Sequence, residues 1–251
     1  VAGNGQVTFT IEAPAAIQTK AIADGLNVDQ LIYEVWITGA TANQEDLSKA
    51  TRLYQATTDM VQDGNRMKAN ITLDLVNDQN FTVLFWAQKK GINVYNTEWL
   101  NAVTYTNLNA KAYAANDNRL DAFYSKAFVS DGATSTPTVT LRRPFAQLNA
   151  LTSDGDVLRR NDVASFENVT STATVEGVYS QFDLINGDVV ETSRQTVTFA
   201  SDTIPAGREG EVTSNDNYTH LSMNYLFVPT TQTCVADVQF TFTATRRTSA
   251  A

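Results

Sequence analysis

The stretch QNFTVLFWAQ, residues 79–88, decides the fold class of this chain. Read with the two-residue period of a β-strand, it places four apolar residues on one face, which we predict to be a core face: Phe81, Val83, Phe85 and Ala87. The opposite face carries Leu84 and Trp86 at its centre, where a sheet with one side in water would carry polar residues. The stretch therefore predicts a central strand, and it raises the question of what covers Leu84 and Trp86.

Size and composition indicate a folded protein with one large β domain or two of ordinary size. The chain has 251 residues, of which 43% are hydrophobic and 18% are charged, so it is not a disordered tail. The net charge of -9 argues against a nucleic-acid partner and against an anionic membrane surface, because both need clustered Lys and Arg. No apolar run is long enough to span a bilayer.

Residues for catalysis or metal binding are scarce. The chain has one cysteine, Cys234, and one histidine, His220, which leaves almost no zinc or haem site to build. Cys234 is interpreted as a small buried hydrophobe, and a nucleophile paired with His220 is the alternative. Dinucleotide-binding, P-loop, zinc-protease and nucleophile-elbow motifs are all missing from the sequence. We therefore expect neither an enzyme nor a cofactor or metal site.

Alternating β-branched and aromatic residues predict strands along most of the chain. The predicted strands are 6–13, 30–37, 51–58, 66–76, 79–88, 121–130, 136–151, 171–184, 194–201, 220–229 and 235–246. Turn signals such as DGN at 63–65 and NGD at 186–188 separate them. Many short strands without long helices between them indicate an all-β fold built from sandwiches. The small and polar stretch SDGATSTPT at 130–138 predicts a boundary between two domains, 1–135 and 136–251.

The segment from 89 to 120 is polar and aromatic, and we predict a loop with one strand there. Short helical turns are expected within 41–53 and 152–166. Four aromatic residues of the chain have two interpretations: Tyr95, Trp99, Tyr105 and Tyr113. Packing across strands or anchoring of loops is the preferred one, and an exposed platform that stacks on a sugar is the alternative.

Several stretches, taken in order along nearly the whole chain, resemble the fimbrillin-like proteins of Bacteroidales, which are subunits of type V pili and their relatives. These stretches are QVTFTIEAP (6–14), AIADGLNVDQLIYEVWI (21–37), TVLFWAQ (82–88), TVTLRRPFAQLNALTSD (138–154) and HLSMNYLFVP (220–229). The ordered set carries the resemblance, and no single stretch does. The chain is most similar to a two-domain branch of the superfamily.

The resemblance implies two transthyretin-like β-sandwich domains with Greek-key, mostly antiparallel strands. It also implies export as a lipoprotein to the outer membrane, with any signal peptide and lipid-bearing cysteine upstream of residue 1. In such pili a protease that cuts after a basic residue removes an early strand. A strand from a neighbouring subunit then fills the exposed groove by β-strand addition.

Transferred to this chain, the resemblance assigns the removable first strand to Val7, Phe9 and Ile11. The candidate cut lies between Lys20 and Ala21 in QTKAIADG. Lysine stands here where many relatives have arginine, which is a departure from the pattern of an Arg-specific protease. A lysine in an exposed linker is the alternative interpretation of the same residue.

Two interpretations of Leu84 and Trp86 follow. The first is cover within the chain, by the aromatic segment 92–105 or by the second domain. The second assigns both side chains to an assembly groove that receives a strand from another subunit.

We therefore expect a non-catalytic pilus subunit or adhesin of the cell surface, in the fimbrium, that assembles by strand exchange. Its partners would be other pilus subunits and a host or bacterial surface ligand. It would contact the membrane only through an upstream lipid anchor. A surface glycan-binding lipoprotein is the alternative function.

Overall fold

The structure, a computed structural model, describes residues 5–15, 25–38, 49–106, 118–131, 133–134, 136–152, 166–203, 219–230 and 237–246. Its regular elements are strands and short three-ten turns, which confirms the prediction of an all-β fold. The turns are Gly25–Asn27, Leu100–Ala102, Asn118–Leu120 and Glu191–Ser193. Within the described residues, no helix has the length and apolar character needed to cross a membrane.

Strands follow one another through the described part of the chain. They are β1 (Gly5–Glu12), β2 (Gln30–Ile37), β3 (Thr51–Asp59), β4 (Val61–Asp63), β5 (Arg66–Leu75), β6 (Phe81–Gln88), β7 (Tyr95–Asn96), β8 (Val103–Tyr105), β9 (Phe123–Val129), β10 (Thr138–Thr140), β11 (Phe145–Thr152), β12 (Phe166–Tyr179), β13 (Gln181–Asp183), β14 (Asp188–Val189), β15 (Arg194–Thr203), β16 (Thr219–Phe227) and β17 (Val238–Arg246).

These strands form four sheets. Sheet A has the order β10-β1-β5-β4, sheet B has β3-β2-β6-β9, and sheet C has β14-β13-β8-β7. Sheet D has the order β11-β16-β12-β15, and β17 also pairs with β12. Strands β1 and β10 are parallel, whereas the other named strand pairs are antiparallel. The predicted turn at 63–65 joins β4 to β5, with Gly64 at a φ of 62° that favours glycine.

The first core lies between sheets A and B. Strand β5 shows why these sheets pack together, because its buried and exposed residues alternate regularly along most of its length. The predicted core face of β6 points into this core, together with the inward faces of β1 and β5. Its largest members are Phe9, Phe81, Phe85 and Phe123. The alternation read from the sequence therefore gives the correct inward face for β6.

The second core covers the opposite face of β6. Leu84 and Trp86 are both 0% exposed, and they pack into a cluster with residues of sheets C and D. The ring of Trp86 lies edge-on to Tyr95 at 5.4 Å and to Phe145 at 6.3 Å between centroids. Cover therefore comes from within the chain, from the aromatic segment and from the start of β11 together.

Two predicted strands are wrong in the same way, because each is broken and its parts join different sheets. The prediction 136–151 becomes β10 in sheet A and β11 in sheet D. The break falls before Phe145, where Pro144 has no N–H for a ladder. The prediction 171–184 becomes β12 and β13, which separate at Ser180.

Smaller corrections concern the segments between the predicted strands. The described part of the segment 89–120 contains two short strands, β7 and β8, where one was predicted for the segment. The expected helical turn at 41–53 ends in strand β3 from Thr51 onward, and residues 41–48 lie outside the described ones. Residues 153–165 of the other expected turn also lie outside them.

The domain division at residue 135 stays a prediction. Strand β10 follows residue 135 in the chain and pairs with β1, as the Ile11–Val139 register shows. Sheet C combines β7 and β8 with β13 and β14, so it takes strands from both predicted ranges. The second core likewise contains residues from both ranges.

Replacement of Trp86 by alanine should lower the free energy of unfolding by about 3–5 kcal/mol, because the indole is fully buried in the second core. Urea unfolding followed by circular dichroism measures the change. The control is Trp99→Ala, which removes a half-exposed ring and should cost about 1 kcal/mol or less. Equal effects of the two substitutions would contradict the packing of Trp86.

Candidate functional site: the slot of the first strand

The candidate site is the slot that β1 fills in sheet A, which we define by its neighbours β5 and β10. Its sequence GQVTFTIE alternates apolar and polar residues, and the structure buries the apolar face almost completely. Val7, Phe9 and Ile11 are each at most 1% exposed. Phe9 meets Phe85 of β6 edge-on, with ring centroids 5.6 Å apart. The three residues predicted as a removable strand thus act together as anchors in the first core.

Strand β1 is also paired along its full length with β5. The register runs antiparallel from Gly5 opposite Leu75 to Glu12 opposite Lys68. Side-chain hydrogen bonds on the outer face join opposite residues: Gln6 to Asp74 at 3.0 Å, Thr8 with Thr72 at 3.0 Å, and Thr10 to Asn70 at 2.9 Å. Cross-strand pairs of this kind add modest stability and fix the register.

Charged residues close the carboxyl end of the slot. Glu12 forms ion pairs with Arg66 at 3.1 Å and with Lys68 at 3.2 Å. Hydrogen bonds to Asp63 and then to Glu12 raise the pKa of Lys68. All of these groups contact water, so the pairs contribute little to stability.

The second neighbour of β1 covers only part of its length. Strand β10 pairs with Thr10, Ile11 and Glu12 in parallel. No strand among the described residues pairs with 5–9 on that side. Among the described strands, β5 alone therefore holds the amino-terminal half of β1 in sheet A.

The predicted cut between Lys20 and Ala21 lies outside the described residues, which stop at residue 15 and resume at Gly25. The two sides of this gap are adjacent, because a Cβ on Gly25 would lie 2.2 Å from the carbonyl oxygen of Pro14. Only glycine fits such an approach. Pro14 and Gly25, on the two sides of the linker that carries the predicted cut, therefore lie next to each other. Cleavage at Lys20 stays a prediction.

The structure does not bring the predicted groove residues to the slot of β1. Val7, Phe9 and Ile11 belong to the first core, whereas Leu84 and Trp86 belong to the second. Loss of β1 would uncover the face of β6 that carries Phe85, and Leu84 and Trp86 would keep their cover. Their role in an assembly groove stays a prediction, and it would require movement of sheet C or D.

Glu34 of β2 holds part of this cover in place. Its carboxylate is fully buried and accepts hydrogen bonds from Arg52 at 2.8 Å, Trp36 Nε1 at 2.8 Å, Gln55 at 3.0 Å and the backbone N–H of Leu100 at 3.0 Å. A buried charge is tolerated only when it is paired and hydrogen-bonded in this way. The bond to Leu100 fixes the three-ten turn between β7 and β8 over sheet B.

Glu34 was not predicted from the sequence, although a signal exists. It stands in QLIYEVWI, where apolar residues surround a single carboxylate. A lone acidic residue inside an otherwise apolar strand indicates a buried partner. The identity of its partners depends on β3 and on the loop before Leu100, which periodicity does not bring together.

Two of the three described aromatic candidates are buried, so these three do not form a continuous exposed platform. Tyr95 and Tyr105 are buried, as the preferred interpretation expects, and Tyr113 lies outside the described residues. Trp99 is 43% exposed, but the guanidinium carbon of Arg52 lies 3.4 Å from its ring centroid. Trp36 meets the same ring edge-on at 6.2 Å. One face of the Trp99 ring is therefore covered by Arg52.

The side chains of the remaining chemical candidates, Cys234 and His220, are not described by the structure. Cys234 lies outside the described residues, and for His220 the structure describes the backbone only. Within the part of the chain that is described, no group of three or more His, Cys, Asp or Glu could hold a metal ion.

Comparisons with known proteins place the whole chain in one family model. The model of DUF6562, a family of unknown function, matches residues 1–251. No curated protein matches the chain.

Solved structures with a similar course of the chain come from Bacteroides. One from Bacteroides thetaiotaomicron VPI-5482, described as "putative polysaccharide binding proteins (DUF1812)", has a TM-score of 0.48 at 10% sequence identity. The match covers 96% of this chain and 76% of the other. A "putative adhesin" from Bacteroides ovatus has a TM-score of 0.48 at 12% identity, and the match covers 96% of this chain and 74% of the other. A "putative cell adhesion protein" from Bacteroides eggerthii DSM 20697 has a TM-score of 0.44 at 14% identity, and the match covers 97% of this chain and 76% of the other.

Replacement of Glu34 by glutamine should lower the free energy of unfolding by roughly 2–4 kcal/mol, because it removes the charge that pairs with Arg52 and turns an amide N–H₂ toward other donors. The loss should be smaller than for a fully buried pair because Arg52 keeps some contact with water. Urea unfolding measures the change. The control Glu98→Gln makes the same chemical change on an exposed residue of the adjoining loop and should stay within about 0.5 kcal/mol of the parent. A Glu34→Gln variant as stable as this control would contradict the role of Glu34.

Proposed function

We propose that this chain, which belongs to the DUF6562 family of unknown function, is a non-catalytic subunit or adhesin of a cell-surface pilus that assembles by strand exchange. In this proposal it is exported as a lipoprotein, and its lipid anchor lies upstream of residue 1. Its partners are other subunits, which it binds by β-strand addition, and a surface ligand of a host or of bacteria.

The observation that carries the proposal is the way β1 fills its slot. Val7, Phe9 and Ile11 insert from one strand into three neighbouring positions of the first core. Burial of each such side chain stabilises the fold by roughly 1.5–3 kcal/mol. A slot with this spacing, emptied of β1, would bind an extended peptide with apolar residues at every second position.

Strand β17 supplies a matching pattern at the other end of the chain. Thr241, Phe242 and Thr243 repeat the residue types of Thr8, Phe9 and Thr10 at the centre of β1. Alternate residues of β17 are apolar, and Val238 and Phe242 are 37% and 46% exposed. Among the described strands, β17 pairs with β12 alone. We therefore assign β17 of one copy as the strand that enters the slot of the next.

The alternative function, a surface glycan-binding lipoprotein, has less support. It needs an aromatic face that is open to a sugar ring. Trp99 is the candidate, and its ring is stacked with Arg52. Glycan-dependent changes in tryptophan fluorescence, absent in a Trp99→Ala variant, would favour this alternative.

Limited trypsin digestion should cut the chain between Lys20 and Ala21 and release β1, after which the remaining protein should oligomerise. N-terminal sequencing identifies the cut, and size-exclusion chromatography detects the oligomers. Gel electrophoresis of unheated samples shows whether they form SDS-resistant ladders. The control Lys20→Gln removes the cut and should remain monomeric under the same conditions. A chain that loses β1 and stays monomeric in the folded state would contradict strand exchange.

A synthetic peptide of residues 238–246 should bind the chain from which β1 has been released, because its apolar residues have the spacing of the anchors in β1. Isothermal titration calorimetry measures the affinity, and the peptide 5–12 is the positive control. The same peptide with Phe242→Asp should bind at least about tenfold more weakly, because a charge would enter an apolar pocket. Equal binding of both versions of 238–246 would exclude β17 as the entering strand.

A further inference from the structure

We propose that occupancy of the slot of β1 is coupled to sheet C through Arg142 and Tyr124. The inference rests on the proposed function for its biological sense, since only a protein that exchanges β1 would use such a link. The turn between β13 and β14 is held more firmly when the slot is filled, whether or not the protein assembles.

The first step of the link joins β1 to β10. Strand β10 lies at the edge of sheet A, and β1 is its only strand neighbour among the described residues. The backbone N–H of Leu141 donates to Glu12 O at 2.8 Å, and that of Thr10 donates to Pro137 O at 3.1 Å. An empty slot therefore leaves β10 without its ladder, whereas a strand that enters the slot restores it.

The second step joins the end of β10 to β9. Arg142 follows β10 after one residue and forms an isolated antiparallel bridge with Tyr124. The backbone N–H of Tyr124 donates to Arg142 O at 2.8 Å, and the N–H of Arg142 donates to Tyr124 O at 2.9 Å. The guanidinium carbon of Arg142 also lies 4.9 Å from the centroid of the Tyr124 ring. A shift of β10 would act on this pair directly, because only one residue separates Arg142 from the end of β10.

The third step joins the pair to sheet C. The Tyr124 hydroxyl donates to the carbonyl oxygen of Gly187 at 3.1 Å. Gly187 has a φ of 65°, and a Cβ there would lie 3.3 Å from Nη2 of Arg142. The ring of Phe182 in β13 meets Tyr124 edge-on at 4.6 Å. The turn that connects β13 to β14 thus packs against both members of the pair.

Two properties of Tyr124 make it suited to this position. Burial raises the pKa of its hydroxyl, so the group keeps its proton and can donate to Gly187 over the physiological pH range. It is 1% exposed, so a lost hydrogen bond to Gly187 would not be replaced by water without local opening. Filled and empty slots would therefore differ in the stability of the turn.

The test is amide hydrogen exchange by mass spectrometry on the full chain with a specific protease site placed in the linker 16–24. Exchange is compared before the cut, after release of β1, and after addition of the peptide 5–12. Release should speed exchange in 183–188 by about tenfold, within the usual range for coupled sites, and the peptide should reverse the change. In Tyr124→Phe, exchange in 183–188 should no longer depend on whether the slot is filled.

A matched control separates this link from other contacts between the sheets. The hydroxyl of Tyr105 donates to Tyr225 O at 3.1 Å and accepts from Phe227 N–H at 3.2 Å, far from β10 along the chain. Tyr105→Phe should therefore keep the dependence of 183–188 on the slot. If the chain unfolds on release of β1, the same comparison is made in the uncut chain with Ile11→Ala, which weakens the pairing with Val139.

The coupling is overturned if 138–141 exchanges faster on release of β1, or with Ile11→Ala, while 183–188 does not change. It is equally overturned if Tyr124→Phe keeps the full dependence. Failure of the proposed function looks different, because the emptied chain then stays monomeric and binds no peptide 238–246. The change in 183–188 would still be present in that case.

Discussion

The fold depends on one constraint, which is that strand β6 is apolar on both faces and must be covered twice. Sheet A covers the face with Phe85, and sheets C and D cover the face with Trp86. A two-layer sandwich would leave one of these faces in water, at a cost that grows with the apolar area exposed. The third layer is therefore part of the folding requirement of β6 and explains why strands distant in sequence meet in sheet C.

A buried charge organises the cover on the second face. Glu34 lies on the strand next to β6, and its hydrogen bonds reach both β3 and the turn that begins at Leu100. Apolar packing alone sets no direction for a short loop, whereas a carboxylate with several donors accepts few arrangements. The second core thus combines non-directional burial of Trp86 with a directional network at its rim. The slot of β1 lies on the other side of sheet B, in the first core.

The sequence allowed the prediction of features that depend on local alternation, and it failed where a distant partner decides. The inward face of β6 and the anchors of β1 follow from a period of two, which needs no knowledge of the neighbours. Pro144 marks the break between β10 and β11 locally, but alternation does not reveal that Arg142, within this break, pairs with Tyr124 on another sheet. The covers of Leu84 and Trp86 were left open for the same reason. For the candidate site, the strand was predictable, but its parallel neighbour β10 was not.

The ladder between β1 and β5 also determines how the slot responds to mechanical load. Its hydrogen bonds run perpendicular to the strands along all of Gly5–Glu12. A pull along the strand axis therefore shears the whole ladder at once, whereas a pull across it would break the pairs one after another. A strand seated in this slot would resist tension along its own axis far better than peeling from either end. Under the proposed function, a joint of this kind would hold against a pull along the strand and would still separate when peeled from one end.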